Sequence, residues 1–433
     1  MKRIIGSFII GITAGTAIAQ NTGSAGFNFT LEDCLGYAMD NNYNHQSLKL
    51  SEELQENTYE QSKKERLPSL NASLSENLNS SKGNSASWNG NYGLNAGITL
   101  YQGGSITNTI KQNKLKREQA SYQTLHYENN LTIQILQAFL TVLGNEELLN
   151  YQKVVLQASE EQQKQGLEQF KVGKILESDY LLLEAQLAND KNNIVNTEIS
   201  QENSLLALKN LLSIRADENL QIIYPDTSAF LRMAVLPDKS QVLNRTMQVL
   251  PDIKISDYTI EIAKIGVKIS KANYFPTISL NGSIGTGHSN DYMNFGNQLS
   301  NRLNEQIGIS VSVPIYDNSR TKSRVTQSKI VLQQAELDKK QTELDILQSV
   351  TTDYQNVVSA YNKYQTTGVK QNAYSKTFEV YRAQFHAGAI TAVDLLQQRN
   401  NYINALNDYI QSKYEFMLKR KVLDVYMGIQ ISM

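Results

Sequence analysis

Two aspartates, Asp179 and Asp394, stand in the same short motif at two places in the chain. The motif reads Phe-x-x-Gly-x-x-x-x-x-Asp, and its two copies lie 215 positions apart. Glycine readily adopts positive φ, so Gly173 and Gly388 are predicted to end one helix and reverse the chain. The carboxylate then lies near the start of the next helix, where it suits the positive end of the helix dipole. Carboxylates in this position can cap a helix or attract cations.

The patterns that catalysis or metal binding would require are missing from the sequence. The four histidines lie far apart, and none forms an HxxxH or HExxH spacing. The single cysteine, Cys34, excludes an intrachain disulfide and a cysteine-rich metal site, and it is predicted to be a small buried residue. Neither a Walker loop, a GxGxxG turn nor a Gly-x-Ser-x-Gly elbow is present. The sequence therefore predicts a protein that is not an enzyme, binds no cofactor and takes its energy from a partner.

The first 19 residues have the features of a signal peptide. Lys2 and Arg3 form a basic start, residues 4–16 are mainly apolar, and residues 17–19 form a small-residue cleavage site. The apolar stretch is too short for a bilayer core of about 30 Å, which argues against the alternative of a membrane anchor. An exported protein without membrane helices is periplasmic, secreted or built into an outer membrane as strands. The net charge of −1 implies no nucleic acid partner.

Alternation of apolar and polar residues predicts two β-hairpins. The predicted strands cover about 69–78, 91–101, 277–286 and 305–315. Polar loops are predicted between them, at 79–89 and at 286–304, the second with a net insertion of seven residues. One face of each strand is apolar, whereas the other carries Gly, Asn, Ser and Thr, which favours a wet lumen over a packed core.

A long helical hairpin follows each β-hairpin. The two are predicted at 105–212, with its turn near Gly173, and at 320–427, with its turn near Gly388. The first arm of each is about 100 Å long at 1.5 Å per residue, which is too long for one globular core. In the second hairpin, Leu337 and Leu344 begin a heptad-type pattern that predicts lateral packing against another helix.

The order of these elements divides the chain into two copies of one unit, 20–235 and 236–433. Residues 20–28 are predicted to be a disordered leader, and 46–66 a helix that ends before Pro68. The connector at 214–236 is predicted to hold a short strand at 221–224.

Four membrane strands of about ten residues cannot close a barrel, because eight is the usual minimum. Several chains would have to share one barrel, and three chains give twelve strands. The alternative is that the two β-hairpins pack face to face within one molecule, and their small polar faces argue against it.

The mature chain, about 28–430, resembles the TolC-like outer-membrane efflux proteins. The resemblance is carried by ordered features: Leu67-Pro68 and Phe275-Pro276 before the β-hairpins, Tyr101 and Tyr316 after them, and the two reversals. It implies an α+β membrane protein with a two-fold internal repeat. Four strands per chain would contribute to a trimeric twelve-stranded β-barrel, and the coiled-coil helical hairpins would form a periplasmic α-barrel.

The resemblance also implies a function and a location. The protein would be the outer-membrane exit duct of a tripartite efflux or type I secretion system in a Gram-negative bacterium, extending into the periplasm. Its partners would be two further copies of the chain, outer-membrane lipid, a periplasmic membrane-fusion adaptor and an inner-membrane RND or ABC pump. The open alternative is a periplasmic or surface coiled-coil structural protein or adhesin without a pore.

By the same resemblance, the reversals at Gly173 and Gly388 would form the periplasmic tip, which is the closed entrance of the duct. Asp394 matches a family position that lines the tip constriction, and Asp179 matches one in the tip's hydrogen-bond network. Both aspartates have a plain alternative role as helix-start residues.

The tip of this chain departs from the family pattern. Phe385, Ile390 and Gln397 stand where the best-known members have a Tyr, an Arg and a second Asp, so that polar lock is absent. Closure is then expected to depend on apolar packing of Phe170, Phe385 and Ile390.

Overall fold

The computed structural model describes residues 27–81, 84–225, 236–289, 294–429 and 431. The predicted signal peptide at 1–19 and the leader up to residue 26 lie outside the described residues, as do 226–235 of the connector.

The first half of the described chain contains four helices and four strands. They are β1 Phe27–Phe29, α1 Leu31–Asn41, α2 Tyr43–Lys64, β2 Ser69–Ser81, β3 Asn84–Gln102, α3 Ser105–Lys171, α4 Glu177–Leu212 and β4 Leu220–Ile222. The second half contains five helices and two strands. They are α5 Lys239–Val249, α6 Pro251–Ala272, β5 Thr277–His288, α7 Phe295–Asn301, β6 Asn304–Ser312, α8 Arg320–Ala387 and α9 Ala392–Tyr426.

Within the ranges given above, we find no helix with the length and apolar character needed to cross a membrane.

The two β-hairpins form one antiparallel sheet in the order β2-β3-β5-β6. The central pairing joins the hairpins, with Leu94 opposite Ile284 and Asn95 opposite Ser283. Strands β2 and β6 are the two edges. The hairpins therefore lie side by side and do not pack face to face.

The predicted polar loop at 79–89 is wrong, because the strands continue through most of it. Strands β2 and β3 extend to Ser81 and Asn84, and Leu78 pairs with Trp88 across the ladder. The alternation continues through this Ser- and Asn-rich stretch, and pairing satisfies its backbone groups. Polar composition alone misplaced the loop.

The second β-hairpin also differs from its prediction. The region predicted as a loop at 286–304 contains helix α7, and the Thr286 hydroxyl donates to the Leu299 carbonyl at 2.5 Å. Strand β6 ends at Ser312 and not at residue 315. Pro314 follows closely, and proline has no N–H to donate to a sheet ladder.

Regular structure begins earlier than predicted, both at strand β1 and at helix α2. Residues 27 and 28, predicted to be disordered, belong to β1, which pairs in parallel with β4. Phe27 and Phe29 both pack against Tyr37, which fixes this strand on α1. Helix α2 starts at Tyr43 and not at residue 46, because the Asn42 side chain accepts a hydrogen bond from the His45 N–H and caps it.

The hydrophobic core lies around the middle of the long helices. One cluster joins α1, α3, α4, β4 and α9, with Phe139 and Met417 fully buried. A second joins α5, α8 and α9 around Val357 and Phe416. Cys34 is buried in the first cluster, and this burial raises the pKa of its thiol to about 12. The long helices are thus anchored at mid-length, and their hairpin ends project beyond this core.

Candidate functional site at the ends of the helical hairpins

Both helical hairpins reverse through the same backbone motif. Gly173 has φ +69° and Gly388 has φ +75°, conformations that favour glycine. In the first turn, the Lys174 N–H donates to the Gln169 carbonyl at 2.8 Å; in the second, the Ala389 N–H donates to the Gln384 carbonyl at 2.9 Å. These are Schellman-type helix ends, in which the residues after the helix satisfy its last carbonyl groups.

The two turns lie next to each other. A Cβ at Gly388 would be 3.0 Å from Cε of Lys174, so the ends of the two hairpins are in contact range. The predicted site residues from both copies of the motif therefore lie at one end of the molecule.

Asp394 is exposed and forms a capping box with Thr391 at the start of α9. Its carboxylate accepts from the Thr391 hydroxyl at 2.6 Å and from the Thr391 N–H at 3.2 Å, and its own N–H donates to Thr391 Oγ1. These hydrogen bonds, the side-chain bond first, hold the pKa of Asp394 below its usual value of 3.8. Asp394 is therefore an ionised surface carboxylate that also fixes the start of the helix.

Asp179 occupies the matching place at the start of α4, but without a cap. The residue before α4 is Leu176, which has no side-chain oxygen to accept from the helix N–H groups. Leu176 is 70 % exposed, and its neighbours on the hairpin ends include the similarly exposed Val172 and Val393. The helix after the turn is thus capped by a side chain in the second copy and uncapped in the first, and both copies expose apolar side chains.

The apolar residues predicted to close the tip separate into two groups. Phe385 is buried with Leu183, Ala392 and Leu395, and Ile390 packs against this cluster. Phe170 instead stacks on Tyr180, with ring centroids 5.9 Å apart. The structure therefore brings Phe385 and Ile390 together but places Phe170 in a separate contact.

Gln397 lies exposed one turn further along α9, where its side-chain amide donates to Asn401 at 3.5 Å. It makes no contact with Asp394 in the hydrogen bonds of the described residues.

Sequence reasoning missed two polar contacts between the hairpins. Glu147 of α3 accepts from Lys413 and Tyr414 of α9, both at 2.7 Å. Further toward the hairpin ends, Arg399 of α9 pairs with Asp190 of α4. Each pair joins residues more than 200 positions apart, so no local pattern in the sequence indicates it.

The hairpin ends are characterised by surface groups and by apolar packing. In the part of the chain that the structure describes, no group of three or more His, Cys, Asp or Glu side chains could hold a metal ion. What the hairpin ends offer is an exposed carboxylate, exposed apolar side chains and a small apolar cluster between two hairpins.

Comparisons with known proteins agree with this reading of the fold. Residues 35–213 and 242–428 match the family profile of the outer membrane efflux proteins. The outer membrane protein TolC of Vibrio cholerae is 21 % identical over 359 residues, which cover 78 % of this chain and 80 % of that protein.

Solved structures of low sequence identity share the fold. A membrane protein from Pseudomonas aeruginosa superimposes with a TM-score of 0.78 at 16 % identity, covering 94 % of this chain and 92 % of the other. The open state of the MtrE outer membrane channel of Neisseria gonorrhoeae has a TM-score of 0.76 at 19 % identity, covering 92 % and 89 %. The chain therefore belongs to the outer membrane efflux protein family, whose members lie in the outer membrane of Gram-negative bacteria and extend into the periplasm.

Proposed function

We propose that three copies of this chain form a passive exit duct, with a shared twelve-stranded barrel in the outer membrane and a helical tunnel in the periplasm. The hairpin ends at Gly173 and Gly388 form its periplasmic entrance. The duct serves a tripartite efflux or type I secretion system.

The sheet has two faces of opposite character, as a membrane barrel requires. Leu94, Ile284 and the other apolar residues share one face through the strand register, and Asn95 and Ser283 share the other. The apolar side chains are open to the surroundings; Ile307, for example, is 81 % exposed. A groove of about 570 Å³ runs over the polar face, lined by residues of all four strands such as Asn71, Asn95, Asn281 and Ser310. The face of the sheet that carries the groove is therefore its polar face, as a water-filled lumen would require.

The two edges of the sheet require further strands. Edge strands β2 and β6 each leave backbone N–H and C=O groups without a partner in the sheet. In hydrocarbon each unsatisfied group costs several kcal/mol, so a spanning sheet must close. Four strands are too few to close a barrel, and three copies supply twelve.

The helices next to the sheet repeat this arrangement as an open layer in the order α2-α3-α6-α8. Pairs of polar side chains tie each helix to the next: His45–Glu128 and Glu56–Arg117, then His126–Asp252 and Gln119–Thr259, then Asp257–Lys339 and Ser270–Ser328. Because these pairs align the helices, the two outer members, α2 and α8, are edges of the layer in the same way as β2 and β6.

Exposed leucines lie on both edges of this layer at the same height. Leu50 and Leu54 of α2 are 64 % and 60 % exposed, and Leu337 and Leu344 of α8 are 64 % and 61 % exposed. The heptad-type leucines predicted to pack laterally therefore lack a full partner among the described residues of one chain. A head-to-tail contact between α2 of one copy and α8 of the next would cover both sets and could close a ring.

The hairpin ends at the entrance would be the surface that binds the partner proteins. Exposed Val172, Leu176 and Val393 give the hairpin ends an apolar surface that a periplasmic membrane-fusion adaptor could cover. The chain carries no nucleotide-binding motif, so an inner-membrane RND or ABC pump would drive transport.

The two-faced, open-edged sheet is the observation that carries the proposal, and cysteine labelling tests it. Ile309 and Ser310 are neighbours on β6 that point to opposite faces, since they pair with Leu280 and Ser279. In the purified protein in lipid, Ile309→Cys should react with a membrane-soluble thiol reagent, and Ser310→Cys with a water-soluble one. Detergent-solubilised protein should run as a trimer and conduct ions in a planar bilayer.

A stalk or adhesin without a pore would give a different result. Both cysteines would then react alike, and the protein would remain a water-soluble monomer without conductance. That combination would rule out the duct.

A further inference from the structure

A buried cluster of polar side chains joins the two helical hairpins near their ends. Arg399 of α9 is 3 % exposed, and it donates through Nη2 to the Ser159 hydroxyl of α3 at 3.0 Å and to Asp190 of α4. Asp190 is 6 % exposed; it also accepts from Ser159 at 2.6 Å and from Gln186 at 3.0 Å. We call Ser159, Asp190 and Arg399 the inter-hairpin clasp.

The clasp permits one position of the hairpins relative to each other. A guanidinium and a carboxylate that are both removed from water are stable only while they remain paired and hydrogen-bonded. Sliding or tilting α9 against α3 and α4 would separate them and leave two buried charges. The clasp therefore resists relative motion more strongly than an exposed ion pair would.

An apolar layer follows the clasp toward the hairpin ends. On α9 this layer contains Leu395, one turn from Arg399, and on α4 it contains Leu183, two turns from Asp190. On α3 it contains Gly166, where a Cβ would lie 2.5 Å from Leu183 Cδ1, so a larger residue would force the Leu183 side chain to shift. Phe385 completes the layer.

The clasp and the apolar layer constrain the hairpins in different ways. Apolar contacts are non-directional, and the side chains of this layer can repack as the hairpins shift. The charge pair has fixed geometry and cannot. The register of the hairpin ends is therefore set by the clasp, while the apolar layer fills the space below it.

We propose that Asp190 and Arg399 are the positioning residues that hold the second hairpin against the first and keep the periplasmic entrance closed. This inference rests on the proposed duct function. It assigns the closing contact to a charge pair about 20 Å from the turns, measured along the helices. Opening then requires that this pair separate.

Single-channel recording of the purified full-length protein tests the role of the clasp. The double variant Asp190→Asn/Arg399→Gln removes both charges, so that it leaves no unpaired buried ion. The fraction of recording time that its channel spends open should rise at least about tenfold over the wild type. A tenfold change is small compared with the usual cost of breaking a buried charge pair. Arg399→Lys keeps a charge but loses the planar fork, and it should give an intermediate open fraction.

Lys370→Gln is the matched control. It removes the exposed pair with Asp408, at 2.9 Å, which lies within the second hairpin and not between hairpins. Its open fraction should equal that of the wild type. An equal rise in this variant would contradict a specific role of the clasp.

Two further outcomes separate the inference from the function it rests on. A conducting wild type with unchanged gating in both clasp variants, even if their thermal stability falls, would reduce the clasp to a structural contact and overturn the inference alone. A wild type that forms no channel would overturn the duct, and the clasp's role with it.

Discussion

One residue distinguishes the two helical reversals. Thr391 starts α9 and forms a capping box with Asp394, whereas Leu176 stands at the matching position, 215 residues earlier, before α4. Asp179 already occupies the place that the acidic partner of a capping box requires. The first copy therefore lacks only the hydroxyl.

Leu176→Thr should complete this capping box and stabilise the start of α4. Leu176 is 70 % exposed, so its loss removes little buried surface, and a new threonine cap contributes about 1 kcal/mol in typical helices. Amide hydrogen exchange in the first turn of α4 should slow. Thr391→Leu is the reverse change and should speed exchange in the first turn of α9; no difference in either variant would show that the caps do not limit fraying here.

Local chemistry of this kind is readable from the sequence, and the contacts between hairpins are not. The glycine turns and the carboxylates after them follow from residue types within ten positions. Thr391-x-x-Asp394 repeats the pattern of Thr30-x-x-Asp33, which forms the same box at α1, so this cap could also have been found. The pairing of Arg399 with Asp190 depends on how three helices align over hundreds of residues, and no local rule predicts it.

At the scale of elements, the strands show both the strength and the limit of periodicity. Alternation placed the two faces of the sheet correctly because side chains on a strand point to opposite sides. It located the ends poorly, since Asn and Ser occur both in loops and on a wet strand face. The order β2-β3-β5-β6 includes a pairing between the two hairpins, β3 with β5, which alternation within a strand does not predict.

The described strand positions on the polar face of the sheet carry no charged residue. Its side chains come from the odd positions 69–77, 89–99 and 279–287 and the even positions 304–312, and all are Ser, Asn, Thr, Gln or Gly. The charged residues of these strands, Glu76, His288 and Glu305, share the apolar face. Arg302, which stands just before β6, lines the groove on this face. The strands themselves would therefore contribute no ring of charge that selects ions, and the charge at that end of the groove comes from Arg302.

Reversal potentials in a salt gradient test this assignment. In the proposed trimer, Ser310→Asp places three carboxylates among neutral strand residues and should shift the channel toward cations, whereas the neutral Ser310→Asn should not. In the wild type, cation preference should depend on the entrance, so Asp394→Ala should reduce it. If Ser310→Asp leaves the reversal potential unchanged, Ser310 does not face the permeation path.

At the scale of the whole molecule, the described part of one chain leaves the edges of its sheet and of its helical layer without a partner. Its sheet and the layer α2-α3-α6-α8 next to it are both open, and their edges lie on the same two sides, β2 with α2 and β6 with α8. Sequence patterns indicated that the leucines of α8 need a partner helix. Only the structure shows that no helix of the described chain covers Leu337 and Leu344 and that matching leucines lie exposed on α2.

The double variant Leu337→Ser/Leu344→Ser should therefore weaken the assembly without unfolding the chain. Each leucine is more than half exposed within one chain, so the fold loses little, but each contact between copies loses about 1.5–3 kcal/mol per buried leucine. Because a closed ring repeats the contact, the proposed trimer should dissociate at a lower temperature or detergent concentration. Analytical ultracentrifugation in detergent measures this shift, and circular dichroism checks that the helices persist. Leu176→Ser, an equally exposed leucine at the hairpin end and away from both edges, should leave the assembly intact. A trimer as stable in the double variant as in the wild type would place the contact between copies elsewhere on the helical layer.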